Sequence, residues 1–202
     1  MCLMTDPAYF VHVRKEILPL MSPVKRCFEV GCASGRTLEW LRAKQLIEWA
    51  GGIDIERNLD MSPLDFFESG DVESVSLPGN LDAVLCLDVL EHLRDPKKLL
   101  IRLHASLNST GFLITSIPNV ANYRVAIPLL FGKWVYRDSG ILDRTHLRFF
   151  TRTTAVELLE SSGFRIEMIR SNAFGIDIPM RLLTFGKVPM FHAQYLLKAR
   201  KC

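Results

Sequence analysis

The run Glu29-Val30-Gly31-Cys32-Ala33-Ser34-Gly35 is the first place in the chain where residue types and spacing suggest chemistry. It follows a short apolar stretch and precedes a helical pattern, so it reads as a strand-to-helix turn. Glycine in such a turn lets the backbone bend sharply and approach a ligand that a Cβ would exclude. Asp54 closes the next apolar run, roughly 20 residues further on, the separation at which a carboxylate meets ribose hydroxyls in nucleotide-binding α/β folds. A glycine turn alone is often only a turn; paired with that carboxylate it says more. The spacing is GxxxG, not the GxGxxG of dinucleotide binders. A second group is Asp88, Glu91 and His92, just past another apolar run. A third lies in the long segment 117–151, rich in aromatic and charged residues. Imidazole suits proton removal near neutral pH, which makes His146 the candidate catalytic residue, with His92 and Asp143 as the other candidate bases. Tyr123, Tyr136, Asp143, Arg144 and Arg148 are candidate substrate contacts, because aromatic faces stack on rings and arginines grip anions with two bonds. Each of these also has a plain structural reading as a packed ring, a turn residue or a solvated charge.

The order of acid, small residues and Gly35 resembles motif I of class I S-adenosylmethionine-dependent methyltransferases, (D/E)xGxGxG, with Ala33 at the middle glycine. Gly70-Asp71-Val72-Glu73 resembles the segment whose aspartate meets the adenine amino group. Leu87-Asp88-Val89-Leu90-Glu91-His92-Leu93-Arg94-Asp95-Pro96 resembles the signature after the fourth strand, and Thr115-Ser116-Ile117-Pro118-Asn119 the end of the fifth. The stretch GILDRTHLRFFT, residues 140–151, is similar to a motif of bacterial type 11, 12 and 23 methyltransferases associated with surface polysaccharide or other small-molecule pathways. The resemblance covers roughly residues 9–170. It implies a Rossmann-like three-layer α/β sandwich, with a seven-stranded, mostly parallel sheet ending in an antiparallel hairpin. It implies S-adenosyl-L-methionine as cofactor, leaving as S-adenosyl-L-homocysteine. Glu29 would anchor the ligand ammonium, and Gly31, Cys32, Ala33 and Gly35 would close on its amino-acid part. Asp54 and Ile55 would meet the ribose, Asp71 and Val72 the adenine, while Leu87, Asp88 and His92 would line the far wall.

The reaction so implied is methyl transfer to a small molecule, a saccharide or another hydroxyl-bearing metabolite. A non-enzymatic or regulatory module binding the same cofactor is the alternative; a nucleotide-dependent oxidoreductase is disfavoured by the missing GxGxxG. Methylation of nucleic-acid amino groups would bring (N/D)PP(Y/F) after strand four, where Leu87-Asp88-Val89-Leu90 stands. No metal is expected. The alternative set is Asp88, Glu91 and His92, since DxxEH-type positions in ubiquinone-biosynthesis O-methyltransferases are associated with a divalent ion, magnesium or manganese.

These groups need a scaffold, and apolar periodicity supplies one in which strands and helices alternate. Helical spacing covers residues 9–21, 37–44, 96–107 and 153–161, the last capped by Thr151 or Thr153 and ended by Gly163. Strands are expected at 27–30, 49–55, 81–87, 112–116, 164–169 and 191–198. Between 57 and 69 a short helix and an edge strand near Phe66 and Phe67 are expected, with a turn at 108–111. Residues 117–151 read as an irregular lid or substrate insertion. The apolar connection 174–190 would pack over the domain or form a homodimer face.

With 202 residues, 49% hydrophobic and 23% charged, the chain can bury the core of one domain, residues 1–202. A net charge of +3 without a basic run gives no nucleic-acid arm. Five cysteines without a CxxC pair read as free thiols in a reducing compartment. No signal peptide and no apolar run of membrane-spanning length is visible. The expectation is a soluble, cytoplasmic protein.

Overall fold

The computed structural model describes residues 12–57, 59–172 and 188–202. Seven strands form one sheet: β1 (Val24–Val30), β2 (Ile47–Asp54), β3 (Phe66–Ser69), β4 (Leu81–Leu87), β5 (Leu107–Pro118), β6 (Phe164–Asn172) and β7 (Gln194–Lys201). Their spatial order is β3-β2-β1-β4-β5-β7-β6. β7 alone runs against its neighbours, antiparallel to both β5 and β6. The expected terminal antiparallel hairpin is therefore present, with the later strand inside and β6 at the edge.

The middle strands are buried on both faces, as a continuous apolar run such as Leu81-Asp82-Ala83-Val84-Leu85-Cys86-Leu87 demands. Alternation sends Val84 and Cys86 into one layer and Ala83, Leu85 and Leu87 into the other. The first layer is closed by α2 (Pro96–Ser106) through Leu99, Leu100 and Leu103, and by α4 (Arg152–Glu160) through Ala155 and Leu159. The second is closed by α1 (Arg36–Ala43) through Leu38 and Leu41, together with Ile17 and Leu20. Local caps fix two helix starts. Asp95 accepts from the Lys98 amide ahead of Pro96 in α2, and Thr151 forms a reciprocal capping box with Thr154 in α4.

Several sequence expectations need correction. Of the helix expected over 9–21, residues 9–11 lie outside the described residues, and the rest yields only a 3-10 turn, Lys15–Leu20. Pro19 inside it cannot donate to a longer helical ladder. No helix forms among the described residues of 57–65, where Pro63 sits in a turn. The turn expected at 108–111 is an extended bulge within β5: Leu81 pairs with Leu107 and Ala83 already with Phe112. The irregular insertion contains a helix, α3 (Tyr123–Leu130), started by the Asn122 side chain accepting from the Arg124 amide. Pro128 stands in the last turn of this short helix. The last strand begins at Gln194, after a 3-10 turn at Pro189–Phe191. Most of the connection 174–190 lies outside the described residues. No helix among the described residues is long and apolar enough to cross a membrane.

Candidate active site

β1 is flanked by β2 and β4, and the chain turns outward in opposite directions from the β1–β4 pair. At such a switch point the loops after the two strands diverge and leave a crevice at the strands' carboxyl ends. The glycine loop follows β1 there. Gly31, Ala33 and Gly35 all take left-handed backbone, at φ 69°, 46° and 69°. A Cβ on Gly31 would stand 2.8 Å from Cγ2 of Val89, a residue of the loop after β4. Ala33, the departure from the motif's middle glycine, holds the same left-handed shape, so the loop keeps its form. Asp88, on the opposite lip, is also left-handed at φ 54°. Non-glycine residues in this region carry strain, which clusters at functional sites.

Asp54 at the end of β2 accepts from the Ala33 amide at 2.8 Å and, through its other oxygen, from the Glu56 amide at 2.9 Å. The carboxylate picked out by its spacing thus holds the glycine loop in place. Beneath the loop, Glu29 is 4% exposed, and its Oε2 has no hydrogen-bond partner. Burial pushes its carboxyl up to about 8, against the opposing pull of Arg14. Burial likewise pushes the Cys27, Cys32 and Cys86 thiols up, which leaves them un-ionised and inert near neutral pH. Along the rim, Ile55 is exposed past β2, Val72 is buried, and Asp71 accepts from the Glu73 amide at 2.9 Å.

The loop after β4 carries two polar systems. In the first, Asp88 pairs with Arg14 at 2.8 Å and accepts from Ser116 Oγ at 2.8 Å and Gln194 Nε2 at 2.5 Å. In the second, Glu91 is 1% exposed with neither carboxylate oxygen partnered, and its carboxyl is raised by burial and by Asp88. His92 and His146 stand edge to face beside it, with ring centroids 4.7 Å apart. His92 Nδ1 lies 3.3 Å from the Thr145 carbonyl and His146 Nδ1 3.0 Å from the Ile141 carbonyl. Burial, then His146, holds His92 below its usual range. The main chain closes the arrangement: the Leu147 and Arg148 amides both donate to the Glu91 carbonyl, at 2.8 and 2.9 Å.

His146 is thereby carried from the insertion to the strand-four lip, beside His92. Of the alternative metal set, Asp88 is held by Arg14, Ser116 and Gln194, while His146 stands next to Glu91 and His92. The five candidate substrate residues each have partners of their own. Tyr123 packs on Phe191, and Tyr136 lies beside Trp134 and Phe149. Asp143 is buried and serves its own turn, accepting from Thr145. Arg144 is exposed and pairs with Asp138, and Arg148 donates to the Arg94 carbonyl. Arg14 and Gln194 were not singled out in the sequence, and Ser116 and Glu73 entered only as members of motifs, with no role of their own. Glu73 accepts from the Arg94 and Asp95 amides and so ties the rim after β3 to the loop after β4. No local spacing announces such partners, which come from distant segments.

Comparison with known proteins agrees with this geometry. A family model described as a methyltransferase domain matches residues 6–169. A malonyl-[acyl-carrier protein] O-methyltransferase of Acinetobacter baylyi is 30% identical over 182 residues, covering 87% of this chain and 65% of that protein. A ubiquinone biosynthesis O-methyltransferase of Xanthomonas campestris pv. campestris is 27% identical over 173 residues, 75% of this chain and 70% of its own. The crystal structure of an S-adenosylmethionine dependent methyltransferase from Mesorhizobium loti superimposes with a TM-score of 0.65 at 17% identity, covering 92% and 96% of the two chains. The chain belongs to the class I S-adenosylmethionine-dependent methyltransferases. It spans about two thirds of the length of the two curated relatives named here. The residues present fit that cofactor: a left-handed loop, a strand-two carboxylate bonded to it, and a buried carboxylate oxygen in want of a partner stand at the carboxyl ends of β1 and β2.

Proposed function

We propose that the chain transfers the methyl group of S-adenosylmethionine to an oxygen nucleophile on a small-molecule acceptor. The observation that carries this reading is the placement of the unpartnered Glu29 and loop-bound Asp54 at the same sheet end as the Glu91, His92 and His146 cluster. When bound, the cofactor supplies a sulfonium methyl already activated for in-line displacement, so the protein's task is position and exclusion of water. Glu29 offers its free oxygen to the ligand ammonium. Each oxygen of Asp54 keeps an acceptor position beyond its backbone bond, and these serve the ribose hydroxyls. Asp71 and Val72 form the adenine rim, with Ile55, Leu87 and the loop residues Gly31, Cys32, Ala33 and Gly35 as the walls. Asp88 acts by holding the lip through Arg14.

A hydroxyl nucleophile must lose its proton at or before transfer. The cluster is the group placed to draw that proton off, and we assign activation to Glu91, His92 and His146 together. The new bond joins the acceptor oxygen to the methyl carbon as the carbon–sulfur bond breaks, and the proton leaves through the cluster. The O-directed relatives support oxygen as the target atom.

Calorimetric titration of S-adenosylhomocysteine into the purified chain tests the cofactor reading. Saturable one-site binding is expected, weakened at least tenfold (about 1.4 kcal/mol) by Asp54→Ala. A folded wild type that binds nothing overturns it.

A further inference from the structure

Glu91, His92 and His146 each offer one ligand atom, and these atoms lie within 4.8 Å of one another. We propose that the three residues bind a single divalent ion of the first-row transition series, of the zinc and cobalt kind rather than magnesium. Three observations converge on this. First, a carboxylate that is 1% exposed with both oxygens unpartnered costs several kcal/mol of lost hydration unless something meets it. Apart from its own main-chain amide, no group among the described residues does. Second, both rings are set as ligating histidines are set. Each places Nδ1 against a main-chain carbonyl, Thr145 for His92 and Ile141 for His146, which fixes the N–H on that nitrogen and leaves the Nε2 lone pair for another partner. Third, the two rings stand edge to face with centroids 4.7 Å apart, which brings both imidazoles to the same buried carboxylate.

The ligand set decides the metal. Two imidazoles with one carboxylate suit zinc-type ions, whereas magnesium prefers oxygen throughout and retains its water. Metal–ligand bonds of about 2.0–2.2 Å require the three donors to close up by roughly an ångström, within reach of side-chain rotation. Asp88 is excluded because its carboxylate is taken by Arg14, Ser116 and Gln194. The third ligand instead arrives from the insertion, whose backbone is already fastened to Glu91 by the Leu147 and Arg148 amides. Three protein ligands would leave open positions for an acceptor oxygen, which the ion would make more acidic; with the ion bound, the cluster would activate that oxygen in this way, and its proton would pass to solvent rather than to a ligating ring. That use rests on the methyl-transfer reading; the binding itself does not.

The test uses the full chain, stripped with a chelator and titrated with Co2+ while visible absorption is followed. Saturation at one equivalent, displacement by Zn2+, and no displacement by millimolar Mg2+ are expected. In the cobalt form, proton NMR should show two exchangeable, strongly shifted imidazole N–H signals, one per histidine. His92→Ala and His146→Ala should each weaken binding by more than about 100-fold, beyond what loss of an outer-shell contact costs. Asp88→Asn should leave the affinity within a few-fold. Circular dichroism and S-adenosylhomocysteine binding on the same samples separate loss of the site from loss of the fold. A wild type that binds S-adenosylhomocysteine but not Co2+ overturns this proposal and spares the cofactor reading. So does a site lost in Asp88→Asn and kept in His146→Ala. Should an alanine variant unfold, the count of shifted signals in the wild type still decides.

Discussion

Glu29 shows how a single buried side chain can make a protein's behaviour depend on pH. Its carboxyl is lifted from 4.5 to about 8 by burial, so between those values the folded chain holds a proton that the unfolded chain has released. The native state binds more protons, and stability must fall as pH rises through that window, levelling off above it. Glu91, raised in the same direction by burial and Asp88, adds to the trend. Thermal denaturation from pH 5 to 9 should therefore show a declining midpoint for the wild type and a shallower decline for Glu29→Gln. The same residue gives a signature on binding. A ligand ammonium would ionise Glu29, so titration of S-adenosylhomocysteine at pH 7 should release a proton, read as a heat that varies with the buffer's ionisation enthalpy. Glu29→Gln should abolish that variation. Residues such as Glu29, Gly31 and Asp54 were legible in the sequence because a strand-turn-helix fixes their spacing locally. Arg14 and Gln194 were not, since they reach Asp88 from opposite ends of the chain and no pattern links them.

The glycine loop is the element on which the site depends. Gly31→Ala forces a Cβ into left-handed backbone, which costs roughly 1–2 kcal/mol, and presses it to 2.8 Å from Val89 Cγ2. Urea denaturation should register that loss. Adding Val89→Ala should recover the contact part and leave the backbone part. The main strands and the helices α1, α2 and α4 were readable because apolar runs and caps are local signals. Thr151, one of the two caps expected for α4 from the sequence, forms its capping box with Thr154 in the structure. Elements went unread where tertiary packing overrode local cues. Asn108 to Gly111 has turn chemistry, yet the pairing of Leu107 and Phe112 with β4 on either side of it draws that stretch into β5 as a bulge. Pro128 argued against a helix, but α3 needs only enough turns to follow Asn122 before it stops. The candidate site was partly legible for the same reason: Glu91 and His92 are neighbours in sequence, while His146 joins them only through the insertion's return to the Glu91 carbonyl.

At the scale of the whole molecule, Arg14 fastens the segment before the sheet to three separate places. It pairs with Asp88 after β4, donates to Ser116 on β5, and donates its main-chain amide to the Thr37 hydroxyl oxygen in α1. Both side chains of the Arg14–Asp88 pair are less than a third exposed, 16% and 29%, so solvent screening does not erase the interaction. Arg14→Met should cost about 2 kcal/mol in urea, within the range for hydrogen bonds to charged groups, with the denaturant slope unchanged. It should also weaken S-adenosylhomocysteine binding by freeing the lip at Asp88. The strand order carries one more consequence. β7 follows β6 in the chain, yet it lies between β5 and β6. While the polypeptide is being synthesised, β1 to β5 can assemble the cofactor crevice, but the outer edge of β5 stays open until residues 194–201 leave the ribosome. β6 has no lasting neighbour before then. A nascent chain halted short of Gln194 would thus present a long, apolar, unpaired strand edge to its surroundings, and residues 194–201 are the ones that make the sheet safe from sticking to others.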